Sequence, residues 1–519
     1  MSSRHRILAI DQGTQSVRAI VFDEHGEIVA RAQVAIDECF AVRPGFAEQH
    51  AEHFWQRLCD ACRQLWQAHP DLAGQLSAVA LTSQRGTVVC LDKEGQPLRP
   101  AISWLDQRRA DRLPPLPLAW RLLLGALGLR PAIRLFQTRA QSSWLRQHEP
   151  EIWARTRHYM LLSGYLNWRL SGQMRDAVAA QVGYLPFDFR RQQWAAASDW
   201  KWAATAIKRE QLPELVAPGD ELGRITPAAA EATGLPAGLP VIAAGADKAC
   251  EVVGSGAVTA DTACLSYGTT ATINTTSHRY VEAVRLLPAY PSPVPGHYCT
   301  EVQIYRGFWM VEWFVQNFAA EERAEARQRG QGVEALLEEL AREAPPGAMG
   351  LMLQPYWTPG TREPGPEARG AIIGFGDLHT RAHVYRSILE GLVYALRQGG
   401  ESIARRARVP IRELRVSGGG SRSDVAMQIT ADVFGLPAAR PHTRETSALG
   451  AAITAAVGLG IHADFATAVS KMTRIRDVFQ PQPANHEMYD QLYRKVYLRM
   501  YRRLQPLYHE LRRFTGYPP

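Results

Sequence analysis

The chain has 519 residues, and its 59 lysines and arginines against 51 aspartates and glutamates give a formal net charge of +8. Hydrophobic residues make up 46% and charged residues 21% of the chain, which excludes a disordered or fibrous protein. The length predicts about three domains, or two large ones, with enough chain to bury large hydrophobic cores.

The sequence predicts neither a membrane protein nor a secreted one. The most apolar long stretch, residues 115–136, is interrupted by three arginines and falls short of the ~20 apolar residues that a helical span needs. The apolar run at residues 7–10 is too short for the core of a signal peptide. Seven cysteines do not resemble a disulfide framework in a chain of this length, so we expect a reduced, cytoplasmic protein.

The excess of basic residues does not indicate a nucleic-acid partner. The positive charge is nearly all arginine, and the sequence has no zinc-finger spacing and no basic stripe with stacking aromatics. Such charge can still help to attract a phosphorylated ligand. Cys59 and Cys62 form a Cys-x-x-Cys pair in a helical pattern, but no second ligand pair lies nearby, so we do not expect a metal there.

The first half of the chain begins with the pattern of an antiparallel meander. Apolar runs predict three strands with intervening turns, the strands at 7–10, 17–22 and 28–34. Further periodic segments predict a helix, two strands and a mainly helical stretch, at 52–69, 76–83, 88–91 and 113–168. Prolines and glycines cluster between 211 and 240, which predicts a linker.

The second half repeats the opening pattern. A short strand at 241–244 leads into Gly-Ala-Asp-Lys at 245–248, and a helical stretch follows. Residues 262–275 then read as strand, Gly-Thr-Thr turn and strand, as residues 7–22 do. We infer two related halves, each of which contributes one turn that can face a phosphate.

The remaining segments predict a strand with a glycine-rich turn among several helices. Helices are expected at 385–397, 424–434, 446–458 and 488–514. The strand is expected at 414–416 and the glycine-rich turn at 417–421. The last helix is basic, and its aromatic residues recur at helical spacing. That spacing favours a helix that packs back on its own domain over a membrane anchor.

The turn at residues 11–16 has the composition of a phosphate-binding turn. Its backbone N–H groups and two hydroxyls can surround anionic oxygens, and Asp11 can hold Mg²⁺ directly or through water. An ordinary hairpin turn would have the same composition. The chain has no P-loop motif and no Gly-x-Gly-x-x-Gly at the first strand, which weighs against a dinucleotide oxidoreductase.

Asp247 stands between a buried strand and a helix. A carboxylate there can accept the proton of a substrate hydroxyl during phosphoryl transfer. The same position favours aspartate as a helix N-cap, so both interpretations stay open on this residue alone.

An ordered set of short motifs resembles the FGGY family of carbohydrate kinases, which includes glycerol kinase, xylulokinase and ribulokinase. The resemblance covers nearly the whole chain and rests on residues 11–16, 48–49, 84–86, 104–108, 245–248, 267–270, 370–374, 417–421 and 445–451. It implies an α/β protein of two ribonuclease H-like domains, at 1–243 and 244–519, with a cleft between them. The first domain would bind mainly a sugar or polyol and the second mainly ATP with Mg²⁺.

The resemblance also assigns roles to individual residues. It implies that Asp247 is the catalytic base and that Asp11 and Asp247 are associated with the metal. It implies substrate contacts from Gln84, Arg85, Asp106, Asp247 and Lys248. It implies nucleotide contacts from Thr14, Gln15, Ser16, Gly268, Thr269, Gly307, Gly419 and Ser423.

The substrate side departs from the named family members. Gly86 follows Gln84 and Arg85 where glycerol kinase has glutamate, whereas xylulokinase has Met-His-Gly after the glutamine. Lys248 stands where those enzymes have glutamine or asparagine, and a lysine there would favour an ionised Asp247. It could also bind an anionic or carbonyl group of the substrate, or be a solvated residue of the first helical turn.

We therefore expect an ATP-dependent kinase of a small polyol or ketose, with Arg85 setting specificity. Two alternatives on the same fold are an actin-like ATPase and a catalytically silent sugar-binding regulator. The motifs at 84–86 and 104–108 argue against the first, and the presence of Asp11 and Asp247 argues against the second. A homo-oligomer is compatible with the sequence, and residues 113–136 are expected to form substrate-domain helices or a subunit contact.

Overall fold

A computed structural model describes residues 5–358, 360 and 364–517. The strands of the first half are β1 (Arg6–Gln12), β2 (Ser16–Asp23), β3 (Ile28–Ala35), β4 (Glu48–Gln49), β5 (Ala78–Ser83), β6 (Val88–Leu91), β7 (Ala101–Ile102), β8 (His158–Leu161), β9 (Arg175–Ala177), β10 (Phe187–Asp188), β11 (Gln193–Trp194), β12 (Glu214–Val216), β13 (Glu221–Arg224) and β14 (Pro240–Ala246). Its helices are α1 (Ala51–Ala68), α2 (Leu118–Ala126), α3 (Arg130–Arg139), α4 (Gln141–His148), α5 (Pro150–Arg155), α6 (Leu162–Ser171), α7 (Trp200–Thr205) and α8 (Pro227–Thr233).

The second half contains the remaining elements. Its strands are β15 (Thr262–Tyr267), β16 (Ala271–Ser277), β17 (Tyr290–Pro291), β18 (Tyr298–Ile304), β19 (Met352–Gln354), β20 (Ala371–Ile373), β21 (Glu413–Ser417), β22 (Ala438–Pro441) and β23 (Ile475–Phe479). Its helices are α9 (Asp247–Gly254), α10 (Trp309–Phe318), α11 (Ala320–Arg329), α12 (Val333–Glu343), α13 (Arg381–Ala407), α14 (Asp424–Phe434), α15 (Thr446–Gly458), α16 (Phe465–Met472), α17 (Pro483–Leu492) and α18 (Leu498–Thr515).

The two main sheets share one plan. The first has the order β13-β14-β5-β1-β2-β3, with β1, β2 and β3 antiparallel, β5 and β14 parallel to β1, and β13 antiparallel at the edge. The second has the order β17-β18-β16-β15-β21-β22-β23, with the same sequence of directions from β18 to β23. The predicted opening meander and its repetition are confirmed, and the fold is a pair of ribonuclease H-like α/β domains.

Both faces of the first sheet are covered. Because side chains alternate along a strand, Leu8 and Ile10 of β1 face a core that includes α1, whereas Ile7 and Ala9 face α9 and α15. The glycines of α9 and α15 let the helices touch, since a Cβ added at Gly254 would lie 1.9 Å from the Thr446 carbonyl oxygen. The small-residue pattern of 446–458 thus serves close packing, and it joins the second half to the first sheet.

Three sequence predictions need comment. The linker predicted over 211–240 is wrong, because this segment contains β12, β13 and α8, and β13 pairs with β14. The stretch at 113–168 is mainly helical as predicted, but β8 interrupts it. The division expected at 243/244 falls within β14, all of which lies in the first sheet.

The C-terminal helix packs on its own half, as predicted. It consists of α17, a π-helical segment over Tyr493–Tyr497, and α18. Tyr493 and Tyr497 are fully buried and pack against Tyr394 of α13, with ring centroids 6.0 and 5.2 Å from it. Among the helices of the described residues, none has both the length and the apolar run needed to cross a bilayer.

Candidate active site

The β1–β2 and β15–β16 turns have similar closures. In the first, the Gly13 N–H donates to the Ser16 carbonyl at 3.1 Å, and in the second the Gly268 N–H donates to the Thr270 carbonyl at 3.1 Å. Each turn follows the first strand of its meander, so the duplicated sheet produces both of them. Asp11 precedes the first turn, within β1.

Asp11 is buried and has a cationic neighbour. The Arg18 Nη1 atom lies 3.1 Å from its Oδ2 atom and 3.4 Å from Glu445 Oε2, so one arginine joins the first strand pair to the start of α15. Burial raises the pKa of Asp11 to about 7, against the lowering effect of Arg18. The negative charges of Asp247 and Glu445 raise this pKa further.

Asp247 is the first residue of α9, where β14 ends. Its Oδ1 atom accepts the Lys248 N–H at 2.7 Å, while Oδ2 has no hydrogen-bond partner among the described residues. The N-cap position itself is taken by Ala246, so the carboxylate lies one residue inside the helix. Burial raises the pKa of Asp247, and Lys248 and Arg85 act in the opposite direction. One oxygen of this acid is therefore available to a ligand.

Lys248 is held by a buried acid that the sequence analysis missed. Its Nζ atom lies 2.7 Å from Glu251 Oε2 and donates to Ser266 Oγ at 2.6 Å. Ser417 donates to the other oxygen of Glu251 at 2.6 Å. Burial would raise the pKa of Glu251, but Lys248 and hydrogen bonds with the Ser417 and Ser266 side chains hold it below its usual value. The spacing of Asp247 and Glu251, four residues apart on one helix, was the available signal.

The first turn is bound to the predicted substrate loop by side chains. Thr14 donates its hydroxyl to Gln84 Oε1 at 3.3 Å and accepts the Trp104 indole N–H at 3.0 Å. The hydroxyl of Ser16 accepts from Gln33 at 3.1 Å. Gln15 is exposed. The structure thus brings Thr14 and Gln84 together and gives both hydroxyls of the turn protein partners.

Arg85 reaches across to the second half. Its Nη2 atom lies 3.0 Å from Oε1 of Glu301 on β18, and its guanidinium lies 5.3 Å from the ring centroid of Tyr290. Arg85 also acts electrostatically on Asp247. Glu301 and Tyr290 were not found from the sequence, because they lie more than 200 residues away from Arg85 and carry no motif.

Asp106 belongs to a separate internal network. Its two oxygens accept from the Ala47 N–H at 2.7 Å, from the Arg108 N–H at 2.9 Å and from the Arg108 guanidinium at 2.7–2.8 Å. Arg108 also contacts Glu48 and stacks on Phe46. The Asp106 side chain is 2% exposed. Both of its oxygens are thus engaged by protein donors, and these bonds orient the Trp104 loop.

The second turn is supported by backbone and glycine contacts. Gly307 donates its N–H to the Thr269 carbonyl at 2.9 Å, and an added Cβ at Gly307 would lie 2.1 Å from the Ala271 nitrogen. Gly418 has a φ of +84°, and a Cβ there would lie 2.8 Å from the Tyr267 carbonyl. The structure therefore gathers Gly268, Thr269, Gly307 and the turn after β21 at one place.

The two predicted positions after β21 differ in surroundings. A Cβ at Gly419 would meet nothing within 4 Å, so its backbone borders open space. Ser423 caps α14, accepting the Ala426 N–H at 3.0 Å, and donates to Glu338 at 2.5 Å. The Ser423 hydroxyl thus has a structural role in the helix start.

The geometry combines carboxylates with two donor-lined turns. Asp11, Asp247 and Glu251 provide acids near one another, and the turns at 11–16 and 268–270 provide backbone N–H groups. Such a set can hold an anionic phosphoryl group and accept a hydroxyl proton.

Both halves of the chain match the models of one protein family. The model of the FGGY family of carbohydrate kinases, N-terminal domain, matches residues 6–254, and that of its C-terminal domain matches residues 263–459. The uncharacterized sugar kinase YgcE of Escherichia coli is 31% identical over 513 residues, covering 95% of this chain and 93% of its own. A glycerol kinase of Dechloromonas aromatica is 31% identical over 494 residues, covering 92% of this chain and 93% of its own.

A solved structure supports the same assignment. The xylulose kinase of Rhodospirillum rubrum superposes with a TM-score of 0.81 at 27% identity, covering 97% of this chain and 100% of its own. The family models together match most of the chain, and the relatives are matched nearly end to end. The chain belongs to the FGGY family of carbohydrate kinases.

Proposed function

We propose that this carbohydrate kinase transfers the γ-phosphoryl group of ATP to a hydroxyl of a small polyol or ketose, with Asp247 as the general base. The observation that carries the proposal is the Oδ2 atom of Asp247, which has no hydrogen-bond partner among the described residues. Asp247 also acts electrostatically on Asp11, which precedes the first turn. A base must reach the proton that it removes, and the Oδ2 atom of Asp247 has no competing protein donor among the described residues.

The neighbours of Asp247 tune it for this role. Its raised pKa makes it a stronger base than an exposed aspartate, since burial disfavours its charge. Lys248 and Arg85 limit the rise and favour the ionised form that can accept a proton. The ion pair with Glu251 fixes the position of the Lys248 ammonium group, so its charge acts on Asp247 from a constant position.

The donor set fits a magnesium ion. Carboxylate oxygens are the ligands that Mg²⁺ takes in proteins, and Asp11 and Asp247 supply them within mutual electrostatic range. The repulsion that raises the pKa of Asp11 is the repulsion that a shared cation relieves. Mg²⁺ bound there with ATP would neutralise charge on the transferring phosphoryl group.

The two halves would divide the ligands between them. Gln84 and Arg85 face the polyol from the first half, and Gly268, Thr269, Gly307 and Gly419 surround the nucleotide phosphates and adenosine from the second. The Arg85–Glu301 and Arg18–Glu445 ion pairs connect the halves at the site. Closure around both ligands would exclude water, which limits wasteful hydrolysis of ATP.

The test is release of ADP from ATP·Mg²⁺ across a panel of polyols, ketopentoses, ketohexoses and their deoxy forms. Asp247→Asn is assayed beside Asp71→Asn, which changes an exposed aspartate of the first half. We expect one class of compound to stimulate ADP release, and only Asp247→Asn to abolish the stimulation. ADP release at one rate regardless of sugar would favour an actin-like ATPase, and sugar binding without turnover would favour a silent regulator.

A further inference from the structure

The wall of the cleft beside Arg85 carries a second arginine that the proposed function does not use. Arg139 is the last residue of α3, and Phe136 lies one turn before it on the same helix face. The Phe136 ring packs edge-on against Tyr184, with centroids 5.5 Å apart. Just after Arg139, Gln141 donates to the Gly86 carbonyl at 3.3 Å, which sets the end of α3 beside the 84–86 loop.

The second half completes this wall from the opposite side. Glu301 lies in β18, and Tyr305 comes directly after that strand, four residues beyond Glu301. Because side chains alternate along a strand, this even spacing puts the two side chains on the same face. Glu301 holds Arg85 at 3.0 Å, and Tyr305 interacts with Arg139 together with Tyr184. Tyr305 is 47% exposed, so this cluster is open to solvent on one side.

The cations around the cleft differ in their charge partners. Three of them are each paired with a carboxylate within 3.1 Å: Arg18 with Asp11, Arg85 with Glu301 and Lys248 with Glu251. Arg139 is in no ion pair of the described residues, and it interacts instead with the side chains of Tyr184 and Tyr305. Burial would lower the pKa of Arg139, but the two phenol oxygens hold it above its usual value, so it remains a cation.

A partly buried guanidinium without an anionic partner is costly unless a ligand supplies one. The planar guanidinium matches carboxylate and phosphate groups, to which it donates two parallel hydrogen bonds. We propose that Arg139 binds an anionic group on the polyhydroxy substrate, so that the kinase prefers an acidic derivative of the sugar over the neutral polyol or ketose of equal chain length. This inference rests on the proposed kinase function and narrows its substrate class.

The experiment compares acids with neutral compounds of equal chain length. ADP release is measured with xylonate against xylitol and with gluconate against glucitol, and sugar monophosphates form a separate arm that distinguishes phosphate from carboxylate. Arg139→Gln and Arg139→Lys are compared with Arg134→Gln, which changes an exposed arginine of the same helix. Melting temperatures of all variants show whether each remains folded.

We expect the wild type to prefer one acidic series, and Arg139→Gln to raise the KM for the acid about 10- to 100-fold. The KM for the matched neutral compound should not change, Arg139→Lys should recover part of the loss, and Arg134→Gln should behave as wild type. An equal or better KM for neutral compounds, unaffected by Arg139→Gln, would overturn the inference while leaving the kinase proposal intact.

If no compound stimulates ADP release, the proposed function fails. The anion site at Arg139 is then tested by measuring how tightly the acids bind. Calorimetric titration of xylonate and gluconate into the wild type and Arg139→Gln then reports on the anion site alone. Acid binding that is lost in Arg139→Gln supports the site, and equal binding by both proteins overturns it.

Discussion

The two halves build the same turn on the same sheet plan but surround it differently. In the first half, the turn after β1 is held by side chains, with Thr14 between Gln84 and the Trp104 indole. In the second half, the turn after β15 is held by backbone bonds from residues 307–308, and Thr269 remains exposed. The hydroxyls of the first turn therefore already have protein partners, whereas Thr269 of the second turn is open to a ligand.

The second turn also rests on aromatic side chains, whereas polar side chains hold the first. Tyr267, the last residue of β15, stacks on Phe308 with ring centroids 4.4 Å apart and interacts through its hydroxyl with Thr430 at 2.5 Å. The first turn, residues 11–16, contains one glycine, Gly13. At the second turn, Gly268 and Gly307 make backbone hydrogen bonds and Gly418 lies against Tyr267. The two sheets therefore share a backbone plan, and the residues packed around each turn differ.

The largest expected effect comes from the acid at the junction of the halves. Asp247→Asn should lower kcat by about 10²- to 10⁴-fold, because asparagine cannot accept the hydroxyl proton. Affinity for ADP in the absence of Mg²⁺ should change little, since the second turn is untouched. Single-turnover assays and ADP titrations measure the two quantities, and a variant with full kcat would remove Asp247 from the role of base.

Two buried acids away from the site, Glu390 and Asp176, differ in their partners. Glu390 lies against Arg386 at 2.8 Å, whereas Asp176 has only neutral donors, Ser163, Asn167, Gln181 and the Ala177 N–H. Burial raises the pKa of Asp176 to about 6, against the lowering effect of those donors.

The native state therefore holds the Asp176 proton between pH 4 and 6, where the unfolded chain has released it. Its contribution to stability is fully present below the unfolded pKa and decreases as pH rises through about 6, by roughly 2–3 kcal/mol. Asp176→Asn should remove this part of the pH dependence, measured as urea midpoints at several pH values. Asp71→Asn is the control, and an unchanged slope in Asp176→Asn would contradict the assignment.

A Cβ at Gly307 tests the support of the second turn. Because it would lie 2.1 Å from the Ala271 nitrogen, Gly307→Ala should displace the turn, cost about 1–3 kcal/mol of stability and weaken nucleotide binding. Gly13→Ala should act more mildly and on the first turn, since its Cβ would lie 3.1 Å from the Ser16 carbonyl. Gly74→Ala meets nothing within 4 Å and is the control. Equal nucleotide affinity in Gly307→Ala and Gly74→Ala would argue against this turn as the phosphate site.

The smallest effect is expected at the ion pair that links the halves. Glu301→Gln removes the charge that holds Arg85, so the KM for the acceptor should rise by about 10-fold, equivalent to roughly 1–1.5 kcal/mol. The KM for ATP should stay near that of wild type, as should both constants in Glu321→Gln, which changes an exposed acid of the same half. Acceptor kinetics that do not respond to Glu301→Gln would leave Arg85 without a positioning partner.

Much of the fold and part of the site could be predicted from the sequence. The meander of residues 6–35, the repeat at 262–277 and the packing of the C-terminal tyrosines follow from local apolar patterns, which depend on near neighbours. The linker prediction over 211–240 failed because prolines and glycines also mark the turns between short elements of an integrated domain. Asp106 matched a motif, but its four hydrogen bonds are visible only in the folded chain.

The sequence by itself determined the family, the duplicated sheet and the position of Asp247 at the end of a strand. Only the tertiary structure decided the partners of the charged residues: Glu301 for Arg85, Glu445 for Arg18 and the phenols for Arg139. The physical reason is range. Strand and turn patterns are set by residues a few positions apart, whereas burial and charge pairing depend on groups that meet across hundreds of residues, where no local pattern records the encounter.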